Sequence, residues 1–315
     1  MKAVILDLES LEDLDLTALS SEFSQLDIHM ATTPEQTAAR IADANVVITN
    51  KVRITDDLMA QAPQLQLICV VATGTNNIDL DGARSRGIAV SNCVAYGVDS
   101  VVQHVWSMIL ALHTNVQNYD RAVKAGEWAK ASQFCMLQFP IRELAGRTLG
   151  ILGYGNLGQG VAKIADAFGM NVLIGERPGV EPREGRVSFD TLLADSDVLS
   201  LHCPLTEETA DLFNVQTLSR MKQGSMLINC ARGGIVNESA LIDVLASGHL
   251  AGAATDVLTQ EPPRDGNVLV DAAPDNLLIT PHSAWGSREA RERIIVQTTE
   301  NIQAFKRGEL LRSVL

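Results

Sequence analysis

The stretch 148–158, with the sequence TLGILGYGNLG, decides the fold of this chain. Its apolar run meets three glycines, Gly153, Gly155 and Gly158, and an amphipathic segment follows at once. A strand, a tight turn and a helix start in this order form the phosphate-binding half of a βαβ unit. The first glycine permits the turn, the second lets the backbone approach a pyrophosphate, and the third lets the helix pack closely on the strand.

The residues that follow the glycine turn predict the kind of nucleotide. The amides of Asn156 and Leu157, at the start of the predicted helix, would face a bound anion. A second apolar strand, Asn171–Gly175, ends in Glu176. An acid at this place accepts a hydrogen bond from a ribose 2′-hydroxyl and repels a 2′-phosphate. The acid therefore predicts NAD, while Arg177 beside it is compatible with a 2′-phosphate and hence with NADP.

Length and composition limit the classes of protein to which the chain can belong. Its 315 residues favour two domains, and 46% hydrophobic with only 4% aromatic residues is typical of an aliphatic α/β protein. The net charge of −13 opposes binding to nucleic acid or to anionic membranes. No apolar run approaches the roughly 20 residues of a membrane span. Because no signal peptide is visible and the cysteines lack C-x-x-C spacing, we expect a cytoplasmic protein with reduced thiols and no metal site.

Short apolar runs alternate with helical segments along the whole chain, which predicts parallel sheets with crossover helices. Before the glycine turn we expect strands at 2–8, 45–49, 66–72 and 87–91. After 171–175 we expect strands at 197–202, 224–230, 250–257 and 276–280, and helices are predicted at 98–116, 238–247 and 287–306.

The loop 72–79, ATGTNNID, directly follows a predicted buried strand. A glycine-bearing turn at the carboxyl end of a strand presents free backbone amides, and open α/β sheets bind ligands at this position. The alternative is an ordinary turn whose Asn and Asp residues cap the next helix. The segment by itself favours the ordinary turn.

Three polar residues lie just beyond the carboxyl ends of predicted strands: Arg232, Glu261 and His282. In a doubly wound sheet these ends converge on one crevice beside the dinucleotide. An arginine binds a carboxylate and polarises a neighbouring carbonyl, and a histidine gives a proton to a developing alkoxide. A carboxylate orients the histidine ring. Hydride transfer to a 2-oxo acid needs these three functions and little else, because the cofactor carries the hard step.

Each of these residues also has an ordinary interpretation. Arg232 can lie on the surface or cap a helix, Glu261 can be a solvated loop acid before two prolines, and His282 can cap a turn. The joint interpretation is favoured because three separate loops each supply a group that the chemistry requires. Asp256, at the end of its own strand, either hydrogen-bonds the nicotinamide carboxamide or only holds a loop, and the sequence does not decide between these roles.

The chain resembles the D-isomer-specific 2-hydroxyacid dehydrogenases over most of its length. The stretches that carry the resemblance are VATGTNNIDLDGARSRGIAVSN (71–92), DSVVQHVWSMIL (99–110), ELAGRTLGILGYGNLG (143–158), SLHCPLTEET (200–209), LINCARGGIVNESAL (227–241), TDVLTQEPP (255–263) and LLITPHSAWGS (277–287). Within the family, ATGTNNID, PIRELAG and HSAWGS are most similar to the glycerate dehydrogenases, also called hydroxypyruvate reductases.

The resemblance implies roles for individual residues of the active site. It implies that Arg232 is catalytic and binds substrate, and that Glu261 and His282 form an acid pair. It also implies that the backbone at Thr73 and Gly74 binds the substrate carboxylate, which replaces the interpretation of that loop as an ordinary turn.

The resemblance also implies which residues line the cofactor. In the family, residues that match Cys203, Pro204, Cys230 and Asp256 line the cofactor. Thr209 begins an element over the expected cofactor crevice.

Subunits of the family pair through the nucleotide domain, which predicts a homodimer. The apolar alternation at 134–140 suggests an extended arm on a surface such as that of a second subunit.

The implied fold is α/β, with two Rossmann-like, doubly wound parallel-sheet domains and the active site in the cleft between them. Residues 1–98 with 288–315 would form the substrate-binding domain, because the C-terminal helix returns to the first domain in this family. Residues 99–287 would form the dinucleotide-binding domain.

The sequence therefore predicts an NAD-dependent D-2-hydroxyacid dehydrogenase that acts on a small 2-oxo or 2-hydroxy acid. Hydroxypyruvate and D-glycerate are the leading pair. Glyoxylate, phenylpyruvate and 2-ketogluconate are alternative substrates, and a nucleotide-sensing scaffold without important turnover is an alternative of another class.

Overall fold

The computed structural model describes residues 1–315, which divide into two compact units. The first unit comprises Met1–Gly97 and Gly286–Leu315, and the second comprises Val98–Trp285. Each unit is built on one sheet in which all neighbouring strands are parallel. The α/β class and the two Rossmann-like folds predicted from the sequence are confirmed.

The first unit contains a five-stranded sheet and the helices that connect its strands. The strands are β1 (Lys2–Ile5), β2 (Gln25–Ile28), β3 (Val46–Thr49), β4 (Leu67–Val70) and β5 (Ala89–Ser91), in the spatial order β2-β1-β3-β4-β5. The helices are α1 (Thr17–Ser20), α2 (Pro34–Ile41), α3 (Asp56–Ala60), α4 (Leu80–Ser85) and the C-terminal α12 (Arg288–Lys306), with a 3₁₀ turn at Glu9–Leu11.

The strands of the first unit agree with the predictions except at one edge of the sheet. The four predicted strands are present but shorter, because apolar residues such as Leu6 and Val71 stay buried after the strand itself has ended. The sequence does not predict β2. This strand pairs only with β1, and its residues Gln25 and Asp27 are polar, so it lacks the apolar run that marks a central strand.

The second unit contains a six-stranded sheet with helices on both faces. The strands are β6 (Thr148–Leu152), β7 (Asn171–Gly175), β8 (Val198–Leu201), β9 (Met226–Asn229), β10 (Gly252–Thr255) and β11 (Leu277–Ile279). The helices are α5 (Val98–Thr114), α6 (Val116–Lys124), α7 (Asn156–Ala167), α8 (Phe189–Asp195), α9 (Val215–Ser219), α10 (Glu238–Ala246) and α11 (Val268–Ala272), with 3₁₀ turns at Trp128–Lys130 and Gly233–Ile235.

The strand order β11-β10-β9-β8-β6-β7 determines where this unit can bind a ligand. The chain leaves β6 for β7 on one side and then crosses to β8 on the other, so the order reverses between β6 and β8. Crevices at such a reversal, outside the carboxyl ends of the strands, are where open α/β sheets bind ligands. Leu152, the last residue of β6, lies beside Leu201 of β8 and Gly175 of β7.

Apolar helix faces cover both sides of this sheet. One buried layer includes Leu192 and Phe213, and the other includes Trp106 and Ile109 from α5. The predicted helix 98–116 ends earlier than expected because Asn115 adopts a left-handed backbone conformation with φ of 51°. None of the helices combines the length and the apolar character that a membrane crossing requires.

Candidate active site

The glycine turn lies at the point where the strand order of the second unit reverses. Gly153 follows β6 and has a φ of 96°, a conformation that side chains other than glycine rarely adopt. A Cβ atom at Gly153 would lie 2.5 Å from the carbonyl carbon of His202, just after β8. Glycine therefore allows the loops after β6 and β8 to touch.

The beginning of α7 fits the diphosphate of a dinucleotide. A Cβ atom at Gly158 would lie 2.2 Å from the carbonyl oxygen of Gly153, so the glycine lets the helix start directly against the turn. A Cβ atom at Gly155 would meet nothing within 4 Å, and no side chain caps the helix. The amides of Asn156 and Leu157 therefore begin a helix whose N-terminus is open to an anion.

Glu176 stands at the carboxyl end of β7, beside the glycine turn, as the sequence predicts. Its carboxylate is already bound by the protein, however. The guanidinium of Arg183 donates from Nε to Oε2 at 2.5 Å and from Nη2 to Oε1 at 2.9 Å, and the amide of Arg177 donates to Oε1 at 3.1 Å. These bonds lower the pKa of Glu176 to about 2, chiefly through Arg183, so the carboxylate is ionised at neutral pH.

The turn after β8 is held by its own polar groups. The hydroxyl of Thr209 donates to the carbonyl of Pro204 at 2.7 Å and accepts from the amide of Thr206 at 2.8 Å. Cys203 begins this turn, and its amide would lie 2.6 Å from a Cβ atom at Gly153. Thr209 thus fixes a segment adjoining the glycine turn, and its role in cofactor binding remains a prediction.

Asn229 organises the turn that carries Arg232, and Cys230 belongs to the same turn. Asn229, the last residue of β9, accepts from the amide of Ala231 at 3.0 Å and donates to the carbonyl of Arg232 at 2.9 Å. The sulfur of Cys230 lies 3.8 Å from that of Met108 in α5, and burial raises the pKa of this thiol. The side chain of Cys230 therefore belongs to the core, so any contact with a cofactor would come from its backbone.

His282 and Glu261, which the sequence leads us to expect as an acid pair, lie within hydrogen-bond distance of each other. Nδ1 of His282 lies 2.6 Å from Oε2 of Glu261, and the other carboxylate oxygen accepts from the amide of Leu258 at 2.7 Å. His282 has a φ of 52°, and its amide donates to the carbonyl of Asp256 at 2.8 Å. The ring is thereby fixed at Nδ1, and Nε2 makes no hydrogen bond within the protein.

Two residues that the sequence analysis does not single out bring the loops of Arg232 and Glu261 together. A Cβ atom at Gly233 would lie 2.0 Å from the carbonyl group of Leu258, so only glycine allows these loops to touch. Glu238 accepts from the amide of Thr259 at 2.7 Å. The paired glycines after Arg232 are the signal that could have revealed this contact, whereas Glu238 reads as an ordinary helix residue.

Asp256 holds the loop that carries His282. One of its oxygens accepts from the amide of Ser283 and the other from the amide of Ala284, both at 2.9 Å. The hydroxyl of Thr280 donates to the same carboxylate at 2.5 Å, and His104 lies 2.9 Å from that hydroxyl. Of the two roles open from the sequence, the loop-holding role is the one for which the structure shows contacts.

In the first unit, the loop 72–79 combines features of both interpretations. Asp79 caps α4 by accepting from the amide of Gly82 at 2.9 Å, as an ordinary turn would. Thr73 is anchored, since its hydroxyl donates to the carbonyl of Cys93 at 2.8 Å. The amides of Thr73 and Gly74 donate no hydrogen bond within this unit, which leaves them available to a carboxylate.

Comparisons with known proteins agree with this geometry. The family model "D-isomer specific 2-hydroxyacid dehydrogenase, NAD binding domain" matches residues 106–284. A glycerate dehydrogenase of Methylorubrum extorquens is 42% identical over 308 residues, which cover 98% of this chain and 97% of that protein. A hydroxypyruvate reductase of Blautia hydrogenotrophica is 36% identical over 316 residues, which cover 98% of this chain and 98% of that protein.

A solved structure extends the similarity to three dimensions. The crystal structure of D-lactate dehydrogenase from Aquifex aeolicus, complexed with NAD and lactic acid, has a TM-score of 0.82 and 31% sequence identity. The match covers 98% of this chain and 96% of that one, so it includes both units.

Proposed function

Because the chain belongs to the D-isomer-specific 2-hydroxyacid dehydrogenases, with an NAD-binding domain, we propose that it reduces hydroxypyruvate to D-glycerate and catalyses the reverse reaction. The observation that carries this proposal is the 2.6 Å contact between His282 and Glu261. It leaves one ring nitrogen of the histidine available to a substrate, on a loop whose backbone is fixed by Asp256.

Each residue of the proposed site has one task. A bound nicotinamide supplies the hydride for reduction. His282 gives a proton from Nε2 to the carbonyl oxygen of the 2-oxo acid, and Glu261 keeps the ring oriented through Nδ1. Arg232, whose side chain is exposed, binds the substrate carboxylate and polarises the adjacent carbonyl. We assign the amides of Thr73 and Gly74 to the substrate carboxylate as well.

The choice of hydroxypyruvate is supported by the two relatives described above, a glycerate dehydrogenase and a hydroxypyruvate reductase. Reduction of glyoxylate, phenylpyruvate or 2-ketogluconate would use the same catalytic residues with a different fit for the group attached to the oxo carbon. A nucleotide-sensing scaffold would bind NADH without turnover.

A panel of 2-oxo acids tests the proposal. Each acid is incubated with the enzyme and NADH, the loss of NADH absorbance is followed, and the chirality of the product is determined. We expect the highest kcat/KM with hydroxypyruvate and a D-hydroxy acid as product. A higher kcat/KM with another acid of the panel would reassign the substrate, and tight NADH binding without any turnover would favour the scaffold.

We also propose that the protein is a homodimer in the cytoplasm. Residues 131–147 of the second unit contain no helix or strand, and Phe134 and Leu137 are 90% and 75% exposed. Trp128 and Ile141 nearby are also exposed, and an apolar surface of this kind is typical of a protein interface. The five free cysteines support a compartment in which thiols stay reduced.

A further inference from the structure

The surroundings of Glu176 differ from those of an acid that is free to bind a ribose. The carboxylate is only 1% exposed, and both of its oxygens accept from Arg183. The guanidinium of Arg186 lies 3.8 Å from Oε1 as a second positive charge. Arg177 directs its side chain to Glu208 instead, at 3.3 Å, and both of these groups are largely exposed.

An acid at the end of the second strand favours NAD for two reasons. It accepts from the ribose 2′-hydroxyl, and its negative charge repels a 2′-phosphate. Here Arg183 occupies both oxygens, and with Arg186 it more than neutralises the carboxylate of Glu176. The carboxylate therefore presents no unpaired negative charge to a 2′-phosphate, and the acceptor for a hydroxyl is already in use.

The position of Arg183 allows it to contact a nucleotide. Its side chain is 65% exposed although its partner is buried, so the guanidinium has an open side towards solvent. The loop that carries it returns to the sheet, because Val187 forms a bridge with Gly175 and accepts from the amide of Glu176 at 2.9 Å. Glu181 and Glu184 in the same loop are exposed and form no ion pair with it.

We propose that Arg183 determines the nucleotide specificity of this protein. By binding Glu176 it removes the barrier to a 2′-phosphate, so that the dinucleotide site accepts NADPH as well as NADH. The exposed side of its guanidinium pairs with the 2′-phosphate of NADPH. This inference rests on the proposed function, since it takes the glycine turn to be a dinucleotide site.

Direct binding, measured without any 2-oxo acid, tests the inference. NADH and NADPH are titrated separately into the protein, and the Kd of each is obtained from the change in nucleotide fluorescence. For the unchanged protein we expect the two Kd values to agree within about tenfold, because no unpaired acid repels the phosphate. Arg183→Ala frees Glu176, and we expect it to raise the Kd of NADPH about tenfold while leaving that of NADH unchanged or lower.

Two further variants show whether the effect comes from the charge at this position. Arg183→Lys keeps the charge but loses the two-pronged contact, so we expect its Kd for NADPH to lie between those of the parent and Arg183→Ala. Arg220→Ala removes an exposed arginine of the same unit that pairs with Asp190, and it should change neither Kd. Thermal melting shows that each variant is folded.

The outcomes separate this inference from the proposed function. If NADH binds but NADPH binds more than a hundredfold more weakly to the parent, or if Arg183→Ala changes both Kd values equally or not at all, the role of Arg183 is wrong. If neither nucleotide binds to the folded parent, the proposed function itself is wrong, and this inference with it.

Discussion

At the scale of single residues, Glu261 uses its two carboxylate oxygens for two different contacts. One accepts from the amide of Leu258, which fixes the acid to its own loop, and the other contacts Nδ1 of His282. The histidine sits in a left-handed backbone conformation that its neighbours must maintain. In the proposed mechanism the acid therefore acts through the histidine, as a positioning group.

We expect Glu261→Gln to lower kcat for hydroxypyruvate by about ten- to a hundredfold, because the amide holds the ring less firmly than a carboxylate. The Kd for NADH should stay the same. Steady-state kinetics and a fluorescence titration measure the two quantities. Gln260→Ala, a change at the adjacent exposed residue, serves as the matched control. A Glu261→Gln variant with the parental kcat would show that the acid pair is not used in catalysis.

His202 leads to a prediction about pH and stability. Burial lowers its pKa from 6.5 to about 4, and its Nδ1 is buried without a partner. Between these two values the unfolded chain binds a proton that the folded chain does not, so stability falls as the pH falls from 6.5 towards 4.

Replacing this histidine removes its contribution to acid sensitivity. We expect the free energy of unfolding of His202→Asn to decrease less steeply than that of the parent over the same pH interval. Urea unfolding at several pH values measures this slope. Identical slopes for the parent and the variant would mean that His202 does not titrate as its burial indicates.

At the scale of loops and strands, Gly233 determines whether the loop after β9 can rest on the loop after β10. A Cβ atom at Gly233 meets the backbone of Leu258 at 2.0 Å, and a backbone cannot move aside as a flexible side chain does. We expect Gly233→Ala to destabilise the protein by about 1–3 kcal/mol and to lower kcat, because the loop of Glu261 must shift. Urea unfolding and kinetics measure both effects.

The neighbouring glycine supplies the control. A Cβ atom at Gly234 would lie 3.4 Å from a methyl carbon of Leu205, which is ordinary contact with a movable side chain. Gly234→Ala should therefore change stability and kcat much less than Gly233→Ala does. Equal effects of the two substitutions would contradict the importance of the contact with Leu258.

The elements that the sequence predicts well are those with a local signal. The apolar run and the glycines of 148–158 mark β6, the turn and α7 without knowledge of anything distant. The polar edge strand β2 has no such run. The contact of Arg183 with Glu176 depends on where the loop after β7 returns to the sheet, and an arginine in a loop does not indicate its partner in advance.

At the scale of the whole molecule, the first unit is discontinuous in sequence. It combines residues 1–97 with the C-terminal segment that contains α12. The sequence predicts this arrangement only through the family resemblance, since the composition of α12 does not show where the helix packs. Arg312 illustrates the reason. It contacts Asn301 and Glu300 of α12, and its carbonyl accepts from the amide of Asn92, so tertiary contacts tie the C-terminus to the first unit.

The proposed dimer gives a prediction at the same scale. Light scattering coupled to gel filtration should find a mass about twice that of the chain, which is 33.9 kDa. Replacing the exposed Phe134 and Leu137 together by Asp should yield the monomer, because charge opposes burial of that surface. A parent protein that is monomeric at micromolar concentration, or a double variant that remains dimeric, would contradict the proposed interface.

The role of His282 as proton donor is tested most directly by the rate of NADH-dependent hydroxypyruvate reduction by His282→Gln, with the Kd for NADH measured on the same preparation. We expect a kcat lower by about 10² to 10⁴, since the proton donor is lost, and an unchanged Kd for NADH. If the variant binds NADH and reduces hydroxypyruvate as fast as the parent, His282 is not the proton donor.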